Sequence, residues 1–222
     1  MTITATTAAG MTTSIDPRLL QLASPTLPVG AYSYSGGLEA AMEAGIAKDA
    51  ASAERWITDV LEFSIGRMEA PVLLRMMKGQ LDSFNEVFLA SRETAELRAE
   101  TVQMGFSLNK LLPELGLQPL EMEEISFPAA FAHAARSWKI DERSALTAYL
   151  WAWMENQVMA AVKSIPLGQT DGQRMLLSLG KRLEETVGQA SAISDEELGN
   201  FTPGLAVLST QHETQYSRLF RS

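Results

Sequence analysis

Metal, nucleophile and phosphate chemistry each demand particular residues at particular spacings, and the 222-residue chain offers few of them. Its two histidines, His133 and His212, lie far apart. His212-Glu213 begins like a zinc-peptidase helix, but the second histidine would have to stand one helical turn later, where the chain has Tyr216. Glu121, Glu123 and Glu124 form an acidic cluster that would either hold a hard cation weakly or serve as a solvated connector. There is no cysteine, which excludes disulfides, thiolate metal sites and a cysteine nucleophile. Ser107-x-x-Lys110 copies the spacing of a serine-acylase nucleophile without its companion motifs. Neither glycine-rich phosphate-binding pattern occurs, nor a DDxxD magnesium motif. With no nucleophile beside a matching base, the chain does not read as an enzyme.

A second set of polar residues sits where none is expected. Glu155, Asn156 and Gln157 interrupt an otherwise apolar stretch from Ser144 to Thr170, and Lys163 follows near its end. Asp141 is a good N-cap for a helix here, while Pro166 and Gly168 end it, giving a central helix over about 142–164. Leu146, Tyr149, Leu150, Trp153, Val158, Met159 and Val162 cover almost every side of that helix, so other helices must pack around it. Polar groups on such a helix either hydrogen-bond to neighbouring helices or line a cavity or partner surface, because unpaired they cost about 1–3 kcal/mol each. His133, between Ala132 and Ala134, reads as a packed core histidine.

The elements that would position these groups are helical throughout. Trp56, Ile57, Val60, Leu61, Ile65, Met68, Val72, Leu73 and Met76 recur at spacings of three and four, predicting a helix over about 53–78 that Pro71 kinks or splits. Further helices are predicted from a cap at Ser35 or Gly36 to Gly45, and over 82–90, 92–115 (closed by Gly116) and 128–138. Thr170-x-x-Gln173 predicts a capping box opening a helix that runs through Val187 to Gly188. Ser194-x-x-Glu197 predicts a second box, and a last segment runs from Leu205 to Phe220. No stretch alternates like a strand. The expectation is an all-α domain over 15–222 with roughly eight to ten helices, preceded by a disordered tail at 1–14.

Composition narrows the partners. A net charge of −9, with no sizeable basic run, argues against nucleic acid. Residues 1–14 lack the charge and apolar run of a secretory signal, and the polar centre of the longest helix argues against a membrane span. The lack of cysteine suits a reducing cytosol. The irregular loop 24–39, with Tyr32 and Tyr34 as expected exposed aromatics, and a terminal segment carrying Tyr216, Arg218, Phe220 and Arg221 have the residue types of interfaces, or of ordinary surface.

Four stretches together carry a family resemblance: LLQLASPTLPVGAYSYSGGLE (Leu19 to Glu39), SRETAELRAETVQMGFSL (Ser91 to Leu108), AYLWAWMENQVMAAVKSIPLGQTDGQR (Ala148 to Arg174) and HETQYSRLFRS (His212 to Ser222). On them the chain resembles the UreF family of urease accessory proteins, with Gly36 where many relatives carry glutamine. The resemblance implies an all-α, cytoplasmic homodimer. Its partners would be UreD (UreH in some systems), the GTPase UreG and apo-urease subunits. The family's role would be to bridge UreD and UreG and to regulate GTPase-coupled nickel delivery. No cofactor would be bound permanently, and nickel would only pass in transit. Carried over by position, the UreD side would include His212, Glu213, Tyr216, Arg218, Phe220 and Arg221, with Pro28, Gly30, Tyr32, Ser33 and Ser35 nearby; residues 209–222 would be a partner-binding tail. Lys163 falls at a position linked to control of UreG, and Glu155 and Gln157 are candidates for a polar passage. The competing expectations are a general all-helical adaptor outside urease maturation and an all-α enzyme acting on an apolar substrate.

Overall fold

Side-chain caps decide where five of the helices begin. The computed structural model describes residues 16–222, so the expected tail at 1–14 lies outside the described residues. Asp16 accepts the Arg18 amide to open α1 (Pro17–Leu22), and a short helix α2 (Leu38–Glu43) follows the 24–37 loop. Asp49 accepts the Ser52 amide at 2.8 Å to open α3 (Ala50–Val60). Thr94 opens α6 (Ala95–Leu111), Ser126 opens α7 (Phe127–Ser137) and Asp141 opens α8 (Glu142–Ser164) in the same way. Between them lie α4 (Ala70–Met77) and α5 (Leu81–Ala90); α9 (Gln169–Gly180), α10 (Leu183–Ala192) and α11 (Pro203–His212) follow. No strand occurs among the described residues, and the fold is all-α.

The predicted helix at 53–78 is one rod of three parts. A π-helical stretch, Leu61–Glu69, joins α3 to α4, and Pro71 follows it in the first turn of α4, where it donates no hydrogen bond back into the π stretch. Counted with this rod as one, the described residues hold ten helices, within the expected range. Residues 199–201 use groups of the π stretch: the Phe201 amide donates to Phe63 O at 2.9 Å.

α8 has the predicted bounds and the predicted central place, packing against α1, α2, α3, α4, α7, α9 and α10. Its Leu146, Leu150 and Met154 have no exposure, and Tyr149 joins Phe127 and Phe131 in an aromatic cluster, the Phe131 and Tyr149 centroids being 5.0 Å apart. α6 lies close on the chain ahead of α7, because Gly105 leaves room for the backbone of Ile125 and Ser126.

Three boundaries differ from the sequence expectation. The 92–115 helix begins only at Ala95 and ends at Leu111, passing into a 3-10 turn (Leu112–Leu115) before Gly116 at φ +75°. The helix expected from Thr170 through Val187 is two helices, α9 and α10, broken at Lys181-Arg182, and Gly188 lies inside α10 rather than closing it. Its cap is also different: the Asp171 carboxylate accepts the Gly168 amide at 3.2 Å. The Ser194–Glu197 box forms as expected, the Glu197 carboxylate accepting the Ser194 amide at 3.0 Å. No helix among the described residues is long and apolar enough to cross a membrane.

Candidate functional site

The last segment does not continue α11 to Phe220. It leaves the helix after His212 and runs as an irregular strap, residues 213–222, back across the molecule. His212 is wholly buried at the root of the strap, and both its ring nitrogens meet carboxylates: Nδ1 lies 2.6 Å from Glu96 Oε2 and Nε2 lies 3.1 Å from Glu39 Oε2. The Glu39 carboxylate also accepts the Leu219 amide at 2.6 Å and the Phe220 amide at 2.9 Å. Glu96 accepts from the Arg218 guanidinium as well. Two acids from different helices thus hold the strap at its root and near its end.

The strap finishes on the 24–37 loop. The Arg221 amide donates to Ser33 O at 2.8 Å, and Ser35 gives Ser222 O both its amide, at 3.0 Å, and its hydroxyl, at 2.5 Å. Gly30 and Gly37 let the loop turn back, with φ of +81° and +84°, values that side-chain-bearing residues rarely adopt. Asn156 of α8 donates to Tyr34 O at 3.1 Å and ties the loop to the central helix. Tyr34 is buried, which corrects the expectation of an exposed aromatic; Tyr32 is exposed as expected.

A cavity of about 120 Å³, lined by residues of the 24–37 loop but by none of 213–222, has a polar wall made by Glu69, Arg92, Glu100 and Tyr149. Tyr149 donates its hydroxyl to Glu69, whose second oxygen lies 3.6 Å from the Arg92 guanidinium. Arg92 stacks 4.2 Å from the Phe88 ring, and its Nε has no hydrogen-bond partner. Burial pushes the Glu69 carboxyl and the Tyr149 hydroxyl above their ordinary pKa values. Glu100 is only partly buried as a residue, yet lost hydration of its carboxyl raises its pKa to about 7, against the opposing hydrogen bond from Ser222. A shallower groove of about 540 Å³ between α8 and α9 has Tyr32, Met159, Lys163 and Phe220 in its wall.

The UreF family model matches residues 47–180. Over most of its length the chain is also similar to proteins named urease accessory protein UreF. That of Azoarcus sp. (strain BH72) is 54% identical, covering 92% of this chain and 94% of the other. Those of Dechloromonas aromatica (strain RCB) and Janthinobacterium sp. (strain Marseille) are 50% and 51% identical, each covering 92% of this chain and 96% of the other.

The chain belongs to the UreF family.

UreF proteins are accessory proteins rather than enzymes, and the earlier candidates for chemistry have structural partners. His133 Nε2 lies 2.7 Å from Gln118 O, and Glu124 pairs with Arg98. Ser107 donates to Gln103 O within its own helix. Among the described residues no three of His, Cys, Asp and Glu are grouped to hold a metal ion.

The residues nominated from the family pattern divide by exposure. Glu213, Tyr216, Arg218, Arg221, Pro28 and Tyr32 face solvent, whereas His212, Phe220 and Ser35 are buried and can only shape the surface. Ser33 and Gly30 are intermediate, and residues 209–212 belong to the last turn of α11 rather than to a tail. The Lys163 ammonium lies 4.8 Å from the Phe220 ring, which joins it to the strap. Glu155 lines both the cavity and the groove, and partial burial raises its pKa, while Gln157 is buried outside both, beside Gly36. Glu39, Glu69, Arg92, Glu96 and Glu100 were not nominated, although all but Glu69 lie in stretches that carry the resemblance. Glu96 and Glu100, four apart on α6, were the available signal: two acids on one face of a helix that had to pack.

Proposed function

We propose that this UreF-family chain is an accessory component of urease maturation that bridges UreD and the GTPase UreG. The observation that best supports this reading is the joining of two stretches of the family pattern: the strap ends on the 24–37 loop through Arg221, Ser222, Ser33 and Ser35. Residues far apart in sequence thereby form one continuous surface, on which Tyr32 and Arg221 are exposed neighbours of that joint. Tyrosine and arginine supply interface anchors at low entropic cost, and UreD is the partner assigned to this surface. In this reading the protein acts as a homodimer in the cytoplasm. Nickel is cargo, not a resident cofactor.

Lys163 is assigned to control of UreG on the family pattern, and its ammonium lies beside Phe220, where the strap meets the end of α8. Glu155 is the better of the two candidates for a polar passage, because it lines the cavity and Gln157 does not.

Size-exclusion chromatography with light scattering tests the bridge. The chain is run alone, with UreD, and with UreD, UreG and GTP. The expected result is a dimer that takes up UreD and then UreG, while Tyr216→Ala combined with Arg221→Ala weakens the UreD step at least tenfold. Failure of the intact chain to join either protein would remove the bridging role. In the same series Lys163→Ala is expected to retain UreD and lose UreG-dependent urease activation, and Glu155→Gln to slow nickel delivery without loss of folding. A fall in thermal stability as the sole effect would return either side chain to a packing role.

A further inference from the structure

Arg92 carries a buried charge that the protein pairs only loosely. It lies on the connector between α5 and α6, and its side chain is 8% exposed. Its guanidinium contacts are long: Glu69 Oε2 lies at 3.6 Å and the Ser91 hydroxyl at 3.5 Å. Nε has no hydrogen-bond partner, and the Phe88 ring lies 4.2 Å from the guanidinium carbon. A guanidinium taken out of water without a short acceptor is costly, and an acceptor oxygen placed against it recovers that cost. The space for one is present. Arg92 lines the cavity of about 120 Å³ with Glu69, Glu100 and Tyr149, and Leu27, Val29, Phe88 and Phe127 are among its apolar walls. A cavity of about 150 Å³ takes benzene, so this volume suits one small ring. Tyr32 and Met159 also line it and are exposed, so it opens to the surface.

We propose that this cavity is a binding site for a small neutral amphipathic molecule with an apolar ring as its body and a carboxamide as its head. The amide oxygen accepts from the Arg92 guanidinium, the amide N–H groups donate to the carboxyls of Glu69 or Glu100, and the ring packs on the apolar walls. The wall selects the head. An anionic head would satisfy Arg92 but add negative charge beside Glu69, Glu100 and Glu155, which share the cavity. A cationic head would satisfy the acids and leave Arg92 without an acceptor. A carboxamide carries one acceptor and two donors without net charge, and so answers both sides of the wall.

This inference goes beyond the bridging role and does not rest on it: the wall belongs to one chain, and binding is read without partners or nickel. Benzamide, benzoate and benzylamine share a ring and differ in a neutral, an anionic and a cationic head at neutral pH. Each is titrated into the full chain labelled with carbon-13 at its methionine methyls. Met104 and Met159 line the cavity and report its occupancy. Benzamide is expected to shift both methyls saturably, with a Kd about tenfold below that of either charged analogue.

Two variants locate the site. Arg92→Met keeps an apolar stem and removes the donors, so benzamide binding should weaken about tenfold and its lead over the charged analogues should vanish. Ala152→Leu adds bulk to the cavity wall from α8 and leaves Arg92 in place. It should abolish binding with helix content unchanged by circular dichroism, and it carries the test if Arg92→Met fails to fold. A charged analogue that binds as tightly as benzamide, or benzamide binding unchanged in Arg92→Met, would overturn the assignment of the head. Binding unchanged in Ala152→Leu would place the ligand elsewhere. No saturable shift with any of the three probes would mean that the cavity takes water only, and would overturn the site itself.

Discussion

At the scale of single residues, the protein spends its buried charge on holding one segment in place. Glu39 accepts two backbone amides of the strap and faces the His212 ring, all from a helix 173 to 181 positions earlier. Hydrogen bonds to an ionised group are worth about 1.5–3 kcal/mol. Glu39→Gln keeps the shape and removes the charge, so strap amides 219 and 220 are expected to lose protection by about 10–100-fold, with helix content unchanged by circular dichroism. If those amides exchange at wild-type rates, Glu96 alone holds the strap. Burial of Phe220 under the Lys163 ammonium fits the same picture, in which most side chains nominated for a partner instead shape the surface that exposed Tyr216, Arg221 and Tyr32 occupy.

At the scale of elements, close backbone approach matters more than helix propensity. A Cβ at Gly105 would lie 2.0 Å from Ile125 O and 2.6 Å from Ser126 C, and both obstacles are backbone. That connector has little room to retreat: the Asn85 side chain donates to Glu124 O and accepts the Ser126 amide, while Asn109 Oδ1 accepts the Leu120 amide. Gly105→Ala is expected to cost about 3 kcal/mol or more through overpacking. By calorimetry that should lower the thermal midpoint by roughly 6–12 °C for a chain of this length. An unshifted midpoint would mean that the connector moves freely. The helix itself was legible in the sequence; the reason for its glycine was not, because the neighbour that needs the space is twenty residues away and depends on how α6 and α7 dock.

At the scale of the molecule, titration divides into two opposed groups. Asp49 is lowered by the Ser52 hydroxyl and amide, Asp141 by the Ser144 amide and Glu124 by Arg98; they contribute stability that disappears as pH falls through their depressed values. Glu69 and Glu100 are raised by burial, so each contributes stability that is fully present below the unfolded value and is lost as pH rises through its folded value, about 7 for Glu100. Stability should therefore peak on the acid side of neutrality. Urea unfolding is expected to give a higher midpoint at pH 5.5 than at pH 8, by an amount corresponding to about 1–3 kcal/mol from the Glu100 shift. Equal midpoints would show that these carboxyls are as hydrated folded as unfolded.

What the sequence determined by itself is what short-range physics controls. Asp141 at one end and Pro166 and Gly168 at the other fixed the bounds of α8, and its all-round apolar surface placed it at the centre. The Ser194–Glu197 box was legible for the same reason, as was Gly116 as the end of the 3-10 turn after α6, though not the helix's own end at Leu111: a cap or breaker acts within one helical turn. The break at Lys181-Arg182 was not, since the apolar stripe runs across it and only packing separates α9 from α10. Nor was the seat of the strap. His212 meets Glu39 and Glu96 across separations of 173 and 116 positions, and Ser222 meets Glu100 across 122. No periodicity encodes such pairs. They exist because docked helices bring their acids to one place, and only the tertiary structure decides which residues share it.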